Sequence, residues 1–216
     1  MTEPLLPSSF LFNFAVPCRS KDHLWSTAGA KLDESYRLPH LGTMDGKSTW
    51  ADLRMAWSSE GFGITLIVSG KRQPPWCRGT RIEDSDGLQI WIDTRNTANI
   101  HRANRFCHRF AFLPTGGGRN LESPFAVMLG INRARESPKP VPHGTLPVLC
   151  ARRIDGYRLE AHIPAAALTG FDPVEQPRVG FMYAVIDREL GWQTLRLGPE
   201  FPIDEDPEMW SSMELR

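Results

Sequence analysis

The sequence predicts an all-β domain, a two-sheet antiparallel β-sandwich. Three observations carry that prediction. Hydrophobic residues recur at every second position in run after run; Gly, Pro and Asp break the runs at short intervals; and the period of an amphipathic helix is almost absent. Without crossover helices no parallel α/β sheet can be built, which excludes the doubly wound nucleotide-binding folds.

Along the chain, Phe10, Phe12, Phe14 and Val16 make the first alternating run. Leu53, Met55 and Trp57 make the next, and Ser58-Ser59-Glu60-Gly61 links it as a hairpin to Ile64, Leu66 and Val68. Leu88, Ile90 and Ile92 alternate against Gln89, Trp91 and Asp93, and Phe106, His108, Phe110 and Phe112 against Cys107, Arg109, Ala111 and Leu113. Tyr157, Leu159, Ala161 and Ile163 follow, then Val179, Phe181, Tyr183 and Val185, and finally residues 192–197. Residues 165–168 leave room for one helical turn between Pro164 and Gly170. Irregular segments are expected at 71–83, 114–124 and 136–147; in a sandwich such loops gather at the ends and carry ligand contacts. No internal repeat or shift of composition divides the chain, so residues 1–216 read as a single domain.

Apolar residues make up 41% of the 216, enough for a substantial core without a staple. Lys plus Arg and Asp plus Glu stand at 25 each, which removes the electrostatic case for a nucleic-acid or anionic-membrane partner. No stretch approaches the roughly 20 apolar residues of a membrane-spanning helix. The opening Met1-Thr2-Glu3-Pro4 is acidic where a secretory signal is basic, and the apolar run after it is broken by Asn13. The expectation is a cytoplasmic protein, or one whose leader has been removed. Cys18, Cys77, Cys107 and Cys150 are widely spaced, with no Cys-x-x-Cys pair, and are read as buried thiols.

Several motifs, taken in order, resemble family 9 carbohydrate-binding modules. Met44-Asp45-Gly46, then Trp50-Ala51-Asp52 and Ala56-Trp57, are similar to that family's opening segment, and Gly61 to Val68 to the strand after it. Asp86-Gly87-Leu88-Gln89-Ile90-Trp91-Ile92-Asp93 resembles its strand that follows an acidic loop. Tyr157-Arg158-Leu159-Glu160-Ala161-His162-Ile163-Pro164 and Val179-Gly180-Phe181 through Ile186-Asp187 resemble two later strands, so that the likeness spans residues 30 to 216. The resemblance implies a sandwich of about ten strands, sugar binding by aromatic stacking and, in some members, structural calcium. Haem-binding cytochrome domains and catecholamine-binding-like domains share the sandwich, so fold alone does not name the ligand.

Sugars need flat aromatic faces for their C–H surfaces and polar groups for their hydroxyls. Of seven Trp, Trp25, Trp50, Trp57 and Trp210 sit in or beside apolar runs and are assigned to the core or its edge. Trp76, after Pro74-Pro75 in a polar loop, is the foremost candidate for an exposed platform, and Trp192, after Gly191, the next. Trp91 faces away from Leu88, Ile90 and Ile92, either into a second layer or onto a binding face. Alternation also places Gln89, Asp93, Arg109, Glu160 and His162 opposite their strands' apolar residues. If those strands are neighbours, they form one polar face beside Trp91; otherwise they are a solvated surface laced with weak ion pairs.

Other chemistries are less well served. His101, Cys107, His108 and Cys77 include zinc-type ligands, but Cys107 and His108 project to opposite faces of one strand. Arg102, Arg105 and Arg109, with Arg133 and Arg135, offer an anion site or pairing for acidic loops. In Glu83-Asp84-Ser85-Asp86, the pair Asp84 and Asp86 are candidates for calcium, without EF-hand spacing. Gly116-Gly117-Gly118-Arg119 lacks the Lys and the helix of a phosphate loop, and no Gly-x-Ser-x-Gly elbow is present. The reading is a non-catalytic binding module for a carbohydrate or similar polar small ligand, through Trp76, Trp91, Trp192, Gln89, Arg109, Glu160 and His162. Two alternatives stay open: an accessory or redox domain binding haem or metal, drawing on Met55, Met128, Met182, His108 and His162, or a protein-interaction domain without a small ligand.

Overall fold

The computed structural model describes residues 8–12, 15–97 and 99–216. Among these residues eleven strands run in chain order as Ala15–Ser20 (β1), Ala51–Ser58 (β2), Gly61–Ser69 (β3), Gly87–Asp93 (β4), Cys107–Gly117 (β5), Ser123–Leu129 (β6), Val148–Arg153 (β7), Gly156–Pro164 (β8), Arg178–Asp187 (β9), Gly191–Thr194 (β10) and Ser211–Leu215 (β11). The helical elements among the described residues are short 3-10 turns, one of them Ala165–Ala167 where a single turn is expected. None is long and apolar enough to cross a membrane.

The strands form an all-β sandwich. One sheet has the order β6-β5-β4-β9-β11-β1, with β10 beside β9; the other has β1-β2-β3-β8-β7. Strand β1 belongs to both, pairing in parallel with β11 through Ala15–Cys18 and with β2 through Arg19 and Ser20. All other pairs are antiparallel. The shared strand bends the two sheets into a flattened, nearly closed barrel.

Register explains where the core sits. Across β2, β3 and β8 the rows Leu53–Leu66–Leu159 and Met55–Ile64–Ala161 face inward. Across β5, β4 and β9 the rows Phe112–Leu88–Val185 and Phe110–Ile90–Tyr183 meet them from the opposite sheet. All twelve side chains are essentially inaccessible, and burying the larger ones stabilises the fold by about 1.5–3 kcal/mol each. Cys18 and Cys107 are buried thiols, both pushed up to about 12 by desolvation, and no cysteine is in a disulfide.

Two outer faces remain, and irregular chain covers them unequally. Over β2, β3 and β8 lies a strap, residues 22–38. Leu24, Ala30 and Leu32 pack on Ala56, and Trp25 stacks on His162 at 6.2 Å. Over β4 and β9 run residues 199–210, pinned by the Trp210 indole N–H to the Ile203 carbonyl (2.8 Å). This second cover stops short, and the candidate site lies beyond it.

Some local expectations need correcting. Ser8–Leu11 is a 3-10 turn rather than the start of a strand, and Phe10 stacks on Phe201 at 5.3 Å. Phe14 lies outside the described residues. The segment expected to be irregular from residue 114 begins as strand, since β5 runs on to Gly117. Strands β6, β7 and β11 carry too little alternation to be seen, because β6 and β7 are edge strands with half-exposed sides.

Candidate functional site

At one end of the first sheet two loops meet, the β3–β4 connection (residues 70–86) and the β9–β10 turn (residues 188–190). A buried ionic cluster joins them. The Lys71 ammonium donates to Asp86 Oδ2 at 3.1 Å and to Asp187 Oδ2 at 2.5 Å, with side chains 2%, 1% and 0% exposed. Burial would lower the lysine, but its hydrogen bonds to Asp187 and Asp86 and their negative charges outweigh it and hold Lys71 above its ordinary value. The carboxylates' other contacts run into the loops. Asp86 accepts from the backbone N–H groups of Trp76 (3.0 Å) and Arg188 (2.8 Å), and Asp187 from those of Glu189 and Leu190, both at 2.9 Å. Glu189 in turn accepts from the N–H groups of Arg72 and Gln73. Each loop is therefore fixed to the same two charges.

Above this cluster lies a cleft of about 570 Å³ whose walls include Trp76, Trp192, Arg81, Asp84 and Arg188. Gly191 takes φ 88°, which turns the chain into β10, and pairing of Trp192 with Ile186 directs the indole to the outer face of the sheet. Trp192 is 43% exposed, an open aromatic platform. Trp76 is half-buried, and the guanidinium groups of Arg78 and Arg188 stand over its ring at 5.1 and 5.0 Å. It is a braced wall, so the ranking expected from sequence is reversed.

On the other side of Trp192 a second hollow, about 240 Å³, shares Asp84 and Trp192 with the first. Its floor is Trp91 and Arg109, register partners on β4 and β5. Trp91 is 1% exposed, covered by the Arg109 guanidinium at 5.2 Å from its centroid, so it is no open stacking surface. Arg109 Nε and Nη2 donate to Gln89 Oε1 at 3.2 and 2.8 Å, and Nη1 reaches Glu83 at only 3.5 Å. Burial pulls Arg109 down, but a guanidinium stays charged. The Trp91 indole N–H is buried with no hydrogen-bond partner. Of these donors the Arg109 guanidinium lines the hollow with capacity to spare, while the Trp91 N–H lies buried, and Asn132 and Asp204 complete the rim.

Not all predicted residues converge here. Trp76, Trp192, Trp91, Gln89 and Arg109 lie on or under this face. Glu160 and His162 do not, because β8 pairs with β3 and β7 in the opposite sheet. Glu160 anchors the strap instead: its Oε2 accepts from Lys31 N–H at 2.9 Å and Thr65 O–H at 2.6 Å, with Arg158 on Oε1. Gly29, at φ 93°, passes so close that a Cβ would sit 2.6 Å from Glu160. Asp93 lies toward the far end, bound to the N–H groups of Arg95 and Thr97, and burial raises its carboxyl. Asp84 and Asp86 do not form one calcium loop, since Asp86 is committed to Lys71 while Asp84 is exposed and pairs with Arg81. His108, in the core, accepts from Thr169 N–H on Nε2, far from any set with Cys107. The arginine cluster also disperses: Arg102 binds the Arg133 carbonyl, Arg105 covers Phe106, and Arg109 is the floor described above. Lys71, Arg81 and Arg188 escape the sequence reading, which names Asp187 but not its buried ion pair with Lys71. Only adjacency marks them, Lys71 to the loop of Trp76 and Arg188 to the turn of Trp192.

No protein-family model matches this chain, and no curated protein sequence does. Among solved structures, the chain is similar to a family 9 carbohydrate-binding module from Caldicellulosiruptor kristjanssonii in complex with cellotriose. The TM-score is 0.63 at 12% identity, over 94% of this chain and 94% of that one. The chain has the family 9 carbohydrate-binding module fold. A family 9 module from the same organism in complex with glucose gives a TM-score of 0.61 at 11% identity, over 94% of this chain and 96% of that one. At such identities the module fold is what is shared, and the cleft's chemistry has to be read from this chain's own side chains.

Proposed function

We propose that this protein is a non-catalytic carbohydrate-binding module whose cleft between Trp76 and Trp192 takes a sugar unit. The observation that carries the proposal is the open Trp192 indole facing a braced Trp76 across a cleft lined with Arg81, Asp84 and Arg188. Aromatic walls match the C–H faces of a pyranose, and paired donors and acceptors at the rim match its hydroxyls. The likeness to modules solved with cellotriose and with glucose supports the same ligand class. The hollow floored by Arg109, which shares Asp84 and Trp192 with the cleft, gives a neighbouring sugar unit a guanidinium donor for its oxygens.

The cleft's carboxylates favour holding over cleaving. Asp187 is saturated by Lys71 and two backbone N–H groups, and Asp84 is paired with Arg81. Glycoside hydrolysis needs two carboxyl groups free to act as acid and base or nucleophile.

A glycan array followed by calorimetry tests the reading, with glucose and cello-oligosaccharides as first probes. Wild-type protein binds a defined set of glycans, and Trp192→Ala weakens binding at least about tenfold, the loss of one central aromatic contact. Failure to bind any glycan, or binding unaffected by Trp192→Ala, would overturn it.

A further inference from the structure

A second site lies away from the cleft, where the β4–β5 connection meets the chain leading into β11. His101 Nδ1 stands 2.9 Å from Glu208 Oε2 and 3.2 Å from Asp206 Oδ2. Those three atoms all lie within 4.8 Å of one another, and no other three His, Cys, Asp or Glu side chains among the described residues share this property. We propose that His101, Asp206 and Glu208 bind a divalent metal ion of the zinc type.

Geometry and ligand chemistry both support this. A tetrahedral zinc with bonds of about 2.0–2.1 Å needs ligand atoms about 3.3–3.4 Å apart, within a few tenths of an ångström of the two imidazole–carboxylate distances. One imidazole nitrogen and two carboxylate oxygens form a mixed set that suits zinc and its neighbours, whereas calcium prefers six or more oxygens. The site is also partly preorganised. Asp206 Oδ1 accepts from the Glu208 N–H at 3.0 Å, capping the turn Pro207–Met209 and leaving Oδ2 aimed at His101. Pro207 between the two acids restricts the backbone. The carboxylates are half-covered, with side chains 16% and 36% exposed, while His101 at 71% leaves the outer side open to water as a further ligand.

The three groups come from segments 105 residues apart. An ion between them fastens the β4–β5 connection to the cover strip that also supplies Ile203 and Asp204 to the hollow beside Trp192. Metal binding of this kind stabilises the folded state alone.

The test is titration of chelator-treated protein with zinc chloride, read by calorimetry and thermal melting. One zinc per chain is expected. At about a hundredfold excess over Kd the melting temperature should rise by roughly 5–10 °C. His101→Ala and Glu208→Gln, both at exposed positions, each weaken zinc binding at least tenfold and remove the rise, while their metal-free melting stays near wild type. No zinc binding by the wild type would overturn the proposal. So would binding of unchanged strength in either variant, which would assign the metal to the thiols or another histidine, or displacement of the zinc by millimolar calcium.

Discussion

The two outer faces of this sandwich begin from the same kind of sequence and end as different surfaces. On β8, Glu160 and His162 alternate with core residues, as Gln89 and Arg109 do on β4 and β5. On one face the strap packs down over Glu160 and His162, and both Glu160 oxygens accept from strap or sheet. On the other the cover strip ends beyond Phe201, leaving Trp192 open and the donors of Arg109 and Trp91 partly unused. On the proposed reading, a polar sheet face is left for a ligand where its own chain covers it only in part.

The largest effect that sharpens this contrast is expected at the ionic cluster beneath the open face. Lys71→Met leaves two buried carboxylates without their cation and should cost about 3–5 kcal/mol in denaturant unfolding, with loss of sugar binding as both loops loosen. A loss below 1 kcal/mol would mean that the loops are held by something else.

Acid should act on the shared core and the roofed face. Burial pushes His108 down to about 4 from 6.5, and lowers His162 under the strap as well. The unfolded chain takes up the His108 proton near pH 6.5 and the folded chain only near 4. Stability is therefore fully present above that range and falls as pH drops through it, by roughly 3 kcal/mol for His108. Unfolding curves at pH 7, 5.5 and 4.5 check the slope, and His108→Gln should flatten it.

Removing the strap's anchor comes next. Glu160→Ala deletes charge-assisted hydrogen bonds to Lys31 and Thr65 and should cost about 2 kcal/mol. Sugar affinity should stay within twofold of wild type, since Glu160 lies in the sheet opposite the one that carries the Trp76–Trp192 cleft; a large loss of affinity would break the division between the faces. Trp192→Ala is the mirror image. Its effect on stability should stay within about 0.5 kcal/mol, because the residue is 43% exposed and holds little together.

How far the sequence shows all this depends on the range of the interactions. Alternation is local, so the buried rows of β3, β4, β5, β8 and β9 are legible residue by residue. The partner of each strand is not local. Nothing in residues 156–164 says that Glu160 will face a strap instead of Arg109, and the parallel place of β1 between β11 and β2 is equally silent. Trp76 and Trp192 are legible as loop aromatics because Pro74-Pro75 and Gly191 mark turns around them. Their order of exposure is not, since it depends on Arg78 and Arg188 covering one ring. The Lys71–Asp86–Asp187 cluster unites residues up to 116 positions apart and leaves no pattern in the chain.

The most direct test of the open face is an NMR titration of the indole N–H resonances of all seven Trp with a cello-oligosaccharide, assigned by Trp→Phe variants. Saturable shifts are expected at Trp192 and Trp76, a smaller one at Trp91, and none at Trp25 within the strap. Shifts centred on Trp25, or a spectrum unmoved at every indole, would contradict that expectation.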